Sequence, residues 1–97
     1  MSEFKIEKYD ELFSAVLKLD NIDECRRFFE DAFTVNELEA ICQRVQVAAL
    51  LNEGCSYNDI SEKTGASTAT ISRVNKCLHY GAGGYEVVLN KKGKENE

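Results

Sequence analysis

Residues 57–76, YNDISEKTGASTATISRVNK, have the spacing of a helix-turn-helix. Each key position has a physical duty. Ile60 on the first helix packs against Ile71 and Val74 on the second, and Ser61 is small enough to let the second helix approach. Gly65 supplies a backbone angle at the turn that side chains disfavour. Ser56 caps the first helix, about 57–64, and Ser67 caps the second, which runs to about Leu78 or His79. A helix-turn-helix at about 57–78 is therefore expected. In such a unit the second helix enters the DNA major groove N-terminus first, presenting Ser67, Thr68, Ala69, Thr70, Ser72 and Arg73 outward. Thr methyls and Ala can touch thymine methyls, hydroxyls can meet base edges or phosphates, and a helix N-terminus itself favours a phosphate. The bland alternative is that STATIS is ordinary capping chemistry. Against it, no acid occurs from Ser67 through Lys76 in a chain otherwise rich in acids.

Outward from this segment the apolar spacing is helical almost everywhere, and proline is absent. The expected class is all-α. The preceding helix, about 35–53, carries two apolar stripes. Leu38, Ile41, Cys42, Val45 and Ala49 form one, and Val47, Leu50 and Leu51, offset from these, form the other. Glu53–Gly54 ends it. A helix apolar over most of its circumference needs cover on several sides, which predicts an interlocked homodimer; a compact monomer whose other helices surround it is the alternative. Further upstream, Tyr9, Leu12, Phe13, Val16 and Leu17 line one helix face. Asn21 with Glu24 forms a capping box for a helix bearing Cys25, Phe28, Phe29 and Ala32, and Thr34 with Glu37 repeats the signal. Downstream, Gly81–Gly84 precede an apolar piece, Tyr85, Val87, Val88 and Leu89, read as a short helix packing back on the dimer, before a KKGKENE tail read as flexible.

The chain has 97 residues, which suits one domain, about 1–90, followed by the tail at 91–97, and argues against a multidomain enzyme. Its net charge of −5 is uneven: −4 over residues 1–33, −3 over 34–66 and +2 over 67–97. An acidic total argues against a nonspecific nucleic-acid coat but leaves room for a specific reader with a local basic face. The sequence has no long apolar run, and its start lacks the basic-then-apolar order of a secretory signal, so a cytoplasmic protein is expected. Cys25, Cys42, Cys55 and Cys77 match no metal-ligand spacing and are expected to be reduced and largely buried. With one histidine, His79, at a helix end, no nucleophile–base spacing supports catalysis. Gly81-Ala82-Gly83-Gly84 lacks the Lys-Ser/Thr and the strand of a phosphate loop and reads as a linker. Neither enzyme activity nor a metal or other cofactor is expected.

The stretch from Thr34 to Leu78, TVNELEAICQRVQVAALLNEGCSYNDISEKTGASTATISRVNKCL, resembles the tryptophan repressor superfamily. GASTATISRV with the following CLHYG is similar to its YerC/YecD-type branch. The resemblance implies an intertwined homodimer with six helices per chain, whose two helix-turn-helix heads read a pseudo-palindromic operator as a transcriptional regulator, in the sense of a repressor. It also implies a possible effector pocket. Thr34, Arg44 and Arg73 match the family's corepressor residues, whereas Val74 stands in place of a Gly and Cys77 in place of a Ser. Branched bulk and a weakly bonding thiol do not suit an indole ligand, so tryptophan is not expected as corepressor and another small effector stays open. On the DNA side, Thr68, Ala69, Thr70 and Ser72 occupy the family's base-reading and phosphate-touching positions, while Asn58 and Ser61 replace basic residues that grip the backbone. Lys63, Arg73 and Lys76 are the remaining basic candidates. The competing function is an acidic helical interaction module that docks a protein partner such as the transcription machinery.

Overall fold

A computed structural model describes residues 4–90. They fold as a short 3-10 turn, Ile6–Tyr9, followed by six α-helices: α1 Asp10–Val16, α2 Ile22–Ala32, α3 Val35–Asn52, α4 Tyr57–Thr64, α5 Thr68–Tyr80 and α6 Gly84–Asn90. No strand occurs among the described residues, in agreement with the all-α reading. The described residues divide into two compact units, 4–34 and 35–90. The expected tail at 91–97 lies outside the described residues.

In the first unit local capping sets the helix boundaries. Asn21 Oδ1 accepts the Glu24 backbone N–H at 2.9 Å, so the predicted cap forms. The reciprocal half of the box is shifted by one residue: Glu24 Oε1 takes the N–H of Asp20, at 2.8 Å, rather than that of Asn21. Along α2 the rings form a short ladder, Phe28 edge-on to Phe29 and Phe29 stacked on Phe33 at 4.9 Å between centroids. No described residue of this unit is fully buried, and Leu17 and Ile22 stand 84% and 60% exposed.

In the second unit α4, α5 and α6 all pack on α3. The fully buried core is Val47 and Ala48 from α3, Ile60 from α4, Ala66 from the turn, and Ile71 and Val74 from α5. Leu50, Leu51, Leu78, Tyr85 and Leu89 close its margin. Of the two α3 stripes, the one containing Val47, Leu50 and Leu51 faces this core. The other is covered only in part: Leu38 and Ala49 are half-buried, but Ile41 is 50% and Val45 38% exposed. The same geometry corrects the reading of the cysteines. All four are free, but Cys42 and Cys77 are exposed and Cys25 and Cys55 only half-buried. Cys42 is exposed because it belongs to the open stripe of α3.

The expected helix after the glycine run forms as α6, with Tyr85 and Leu89, one turn apart, half-buried, and Val87 and Val88 exposed. α5 continues to Tyr80, past the Leu78 or His79 end read from sequence, because the chain turns only at Gly81. There the Gly81 N–H reaches the Cys77 carbonyl at 2.9 Å, and a Cβ at this position would sit 2.5 Å from that same oxygen. Only glycine leaves room for this exit.

Candidate nucleic-acid interface

The α4–turn–α5 head is assembled from the contacts its spacing predicts. Ile60, Ile71 and Val74 are at most 2% exposed and share one core cluster with Val47, which joins the two short helices to the α3 frame. Ser56 Oγ accepts the Asp59 N–H at 3.2 Å and starts α4. Gly65 ends it in the left-handed region, at φ 76°, with its N–H on the Ser61 carbonyl at 2.8 Å.

The turn itself is tied from three sides. Ser61, chosen for size, does more than leave space: its hydroxyl donates to the Ala66 carbonyl at 3.0 Å. Thr64 Oγ1 donates to the Ile60 carbonyl at 2.7 Å and accepts the Ala66 N–H at 3.1 Å. Gln43 Nε2, from α3, donates to the Thr64 carbonyl at 3.1 Å. These bonds hold the angle between α4 and α5, and hence the attitude of α5 toward anything it reads. Gln43 and Thr64 were not singled out from sequence. A signal existed for Gln43, a polar residue in register with Val47 and Leu50 on the core-facing side of α3.

At the leading end of α5, Ser67 is the cap. Its Oγ accepts the Thr70 N–H at 3.1 Å and donates to Thr70 Oγ1 at 3.2 Å. Thr70 is half-buried, so these two residues of the predicted reading face are engaged with each other. Before the exposed far end of the helix at Cys77, His79 and Tyr80, its exposed residues are Thr68, Ala69, Ser72, Arg73 and Lys76. Their spacing places 68, 72 and 76, with 69 and 73 beside them, along one stripe opposite Ile71 and Val74. Neither Arg73 nor Lys76 is in an ion pair among the described residues, where the ion pair formed is Arg27 with Asp23 on α2. Asn58 is exposed on the first turn of α4 and Lys63 on its last.

The five residues of the possible effector pocket are divided between the two units. Thr34 closes the first unit, whereas Arg44, Arg73, Val74 and Cys77 lie in the second. Val74 is spent on the head core at 2% exposure, and Arg44 and Arg73 are exposed. Cys77 instead borders an apolar hollow of about 400 Å³ with Val45, the Gly81–Gly84 run, Tyr85 and Val88. Among the described residues no cluster of His, Cys, Asp and Glu could hold a metal ion, and no helix is long and apolar enough to cross a membrane.

Comparison with known proteins matches this architecture to one family. The model of the Trp repressor protein family matches residues 7–93. The uncharacterized protein YerC of Bacillus subtilis (strain 168) is 50% identical over 82 residues, covering 84% of this chain and 79% of YerC. Among solved structures, a candidate Trp repressor from Staphylococcus aureus superposes with a TM-score of 0.84 at 45% identity, over 91% of this chain and 93% of that one. A TrpR-like protein from Eubacterium eligens ATCC 27750 superposes at 0.81 with 52% identity, over 87% of each chain. The chain belongs to the Trp repressor family.

Proposed function

We propose that this protein is a sequence-specific DNA-binding transcriptional regulator, a repressor, acting in the cytoplasm as a homodimer whose two α4–α5 heads read a pseudo-palindromic operator. The observation that carries the reading is the head itself. A buried crossing of Ile60 with Ile71 and Val74 and a three-way tied turn present an acid-free helix face with two unpaired cations to solvent. A rigid helix packed on its frame by one side, with the opposite side left exposed, is what major-groove entry requires. Membership of the Trp repressor family supports the same conclusion. The chemistry proposed is binding, not catalysis.

The homodimer part of the reading is supported by the open apolar surface. Ile41 and Val45 on α3 and Val87 and Val88 on α6 are 38–64% exposed, and the first unit has no fully buried described residue. Apolar area of this extent favours burial against a second copy, at about 25 cal/mol per Å² removed from water. In this reading residues 1–90 form one repressor-like domain completed by its partner. No tryptophan corepressor is proposed, since Val74 fills the core at the position where an indole site would call for glycine.

The test is selection from random duplex DNA with purified protein at moderate salt, with and without an amino-acid pool, alongside sedimentation of the free protein. An enriched palindrome bound by a dimer is the expected result. Dependence on the pool would restore an effector pocket around Thr34, Arg44 and Arg73. No enrichment in either condition would refute the regulator and leave the protein-docking module as the better account.

A further inference from the structure

The leading end of α5 has an unusual shortage of groups for reading bases by hydrogen bonds. Ser67 is consumed as the cap, accepting from the Thr70 N–H and donating to the Thr70 hydroxyl, and Thr70 itself is half-buried. Ile71 is fully buried. Of the first five residues of the helix, 68–72, the exposed ones are therefore Thr68, Ala69 and Ser72. None carries a guanidinium, ammonium or carboxamide, so the bidentate pairs that identify guanine or adenine are not available at the tip. What Thr68 and Ala69 do offer, side by side on the first turn, is two exposed residues that each carry a methyl group.

One base carries an apolar group on its major-groove edge. The 5-methyl of thymine is the natural partner for a methyl-bearing tip, and it is missing from cytosine, adenine and guanine. We infer that Thr68 and Ala69 read the operator by contact with thymine methyl groups, so that each half-site carries T·A pairs where the tip of α5 meets the groove floor. Specificity at these positions then comes from burying a methyl against a methyl. Ser72, one turn later, adds a hydroxyl that accepts either a donor or an acceptor edge. The inference rests on the regulator reading above and deepens it by naming the base feature that is read.

The probe is the duplex enriched by selection, with each thymine replaced in turn by deoxyuridine, which removes the methyl and leaves pairing unchanged. Binding is measured for the natural chain, Thr68→Ser, which deletes the side-chain methyl and keeps the hydroxyl, and Thr68→Val, which does the reverse. One or two thymines per half-site should show a loss of about fourfold on replacement, the effect of one methyl-sized group buried. Thr68→Ser, which removes one methyl contact in each half-site, should weaken binding about fifteenfold and abolish the sensitivity at its own thymine, while Thr68→Val should retain both affinity and sensitivity. Tight binding that no deoxyuridine replacement alters by twofold would overturn methyl readout and leave the regulator standing. Failure to enrich any duplex would overturn both. Loss of affinity in Thr68→Val with full retention in Thr68→Ser would assign recognition to the hydroxyl and also overturn the inference.

Discussion

Replacing Lys76 by Gln separates positioning from reading on α5. Lys76 is exposed on the same stripe as Thr68 and eight residues beyond it, about 12 Å along the helix axis at 1.5 Å per residue. The major groove is about 8.5 Å deep, so a helix inserted tip first holds Lys76 above the groove floor, level with the phosphates at its rim. Gln keeps most of the stem and removes the charge. One phosphate contact disappears per protomer and two per dimer, so the slope of log K against log salt should become shallower by about 1.8. Between about 50 and 200 mM salt, the ratio of natural to variant affinity should then shrink about twelvefold. Anisotropy titrations of labelled selected duplex across that range measure the slope, and a scrambled duplex shows whether the loss is uniform, as a phosphate contact demands. Circular dichroism checks that the helices persist. An unchanged slope, or a loss confined to the selected sequence, would refute the docking geometry and place Lys76 either off the DNA or on a base.

Four further substitutions test the frame that holds the reading helix. Gly65→Ala meets no neighbouring atom within 4 Å but is forced to φ 76°, so thermal unfolding should show a loss of about 1–2 kcal/mol from backbone strain alone. Gly81→Ala should cost more in the same assay, because its Cβ would meet the Cys77 carbonyl oxygen at 2.5 Å; equal losses at the two glycines would contradict the geometry of the α5 exit. Val74→Ala removes two methyl-sized groups from a site 2% exposed and should destabilise by about 2–3 kcal/mol in denaturant titration; a change under about 0.5 kcal/mol would show that the site is not packed as described. Gln43→Leu deletes the bond to the Thr64 carbonyl without opening a cavity, so it should cost about 1 kcal/mol and weaken the selected duplex more than any global loss explains; intact DNA binding would remove Gln43 from the positioning of α5.

Local chemistry explains which parts could be read in advance. Caps at Asn21, Ser56 and Ser67 depend on residues three positions away, and each formed at its predicted place. The head core was legible for a similar reason: Ile60, Ile71 and Val74 are close in sequence, and the short turn at Gly65 leaves few ways to bring them together. What escaped depends on distance along the chain or on competition between roles. The Gln43 bond to Thr64 spans 21 residues and needs α3 already docked. Thr70 fits a reading face by residue type, but the cap at Ser67 engages it first. Val74 had two assigned places, core and effector pocket, and the core occupies it because a branched apolar side chain gains more from full burial than from lining a polar ligand site. Cys42 and Cys77 were misplaced because burial was inferred from residue type, which is blind to which side of its helix a residue occupies: Cys42 lies on the open stripe of α3 and Cys77 on the exposed side of α5.

Charge then decides what kind of DNA reader this head supports. The chain carries −5 overall, with −4 from residues 1–33, so the proposed dimer would be repelled by DNA at long range. Nonspecific affinity grows with the number of phosphates neutralised, and the exposed stripe of α5 offers Arg73 and Lys76 alone. In the proposed regulator so small a charge attraction means that random sequence should hold the protein weakly, and contacts that require the correct base pairs must supply a larger share of the binding free energy. A reader built in this way gains discrimination by lowering nonspecific binding instead of by multiplying base contacts, because specificity is the ratio of the two. Methyl contacts suit such a head: each is modest, independent of salt, and lost whenever cytosine stands where thymine should. The tied turn matters for the same reason, since weak contacts add up only if α5 is held at one angle, and Ser61, Thr64 and Gln43 hold it there.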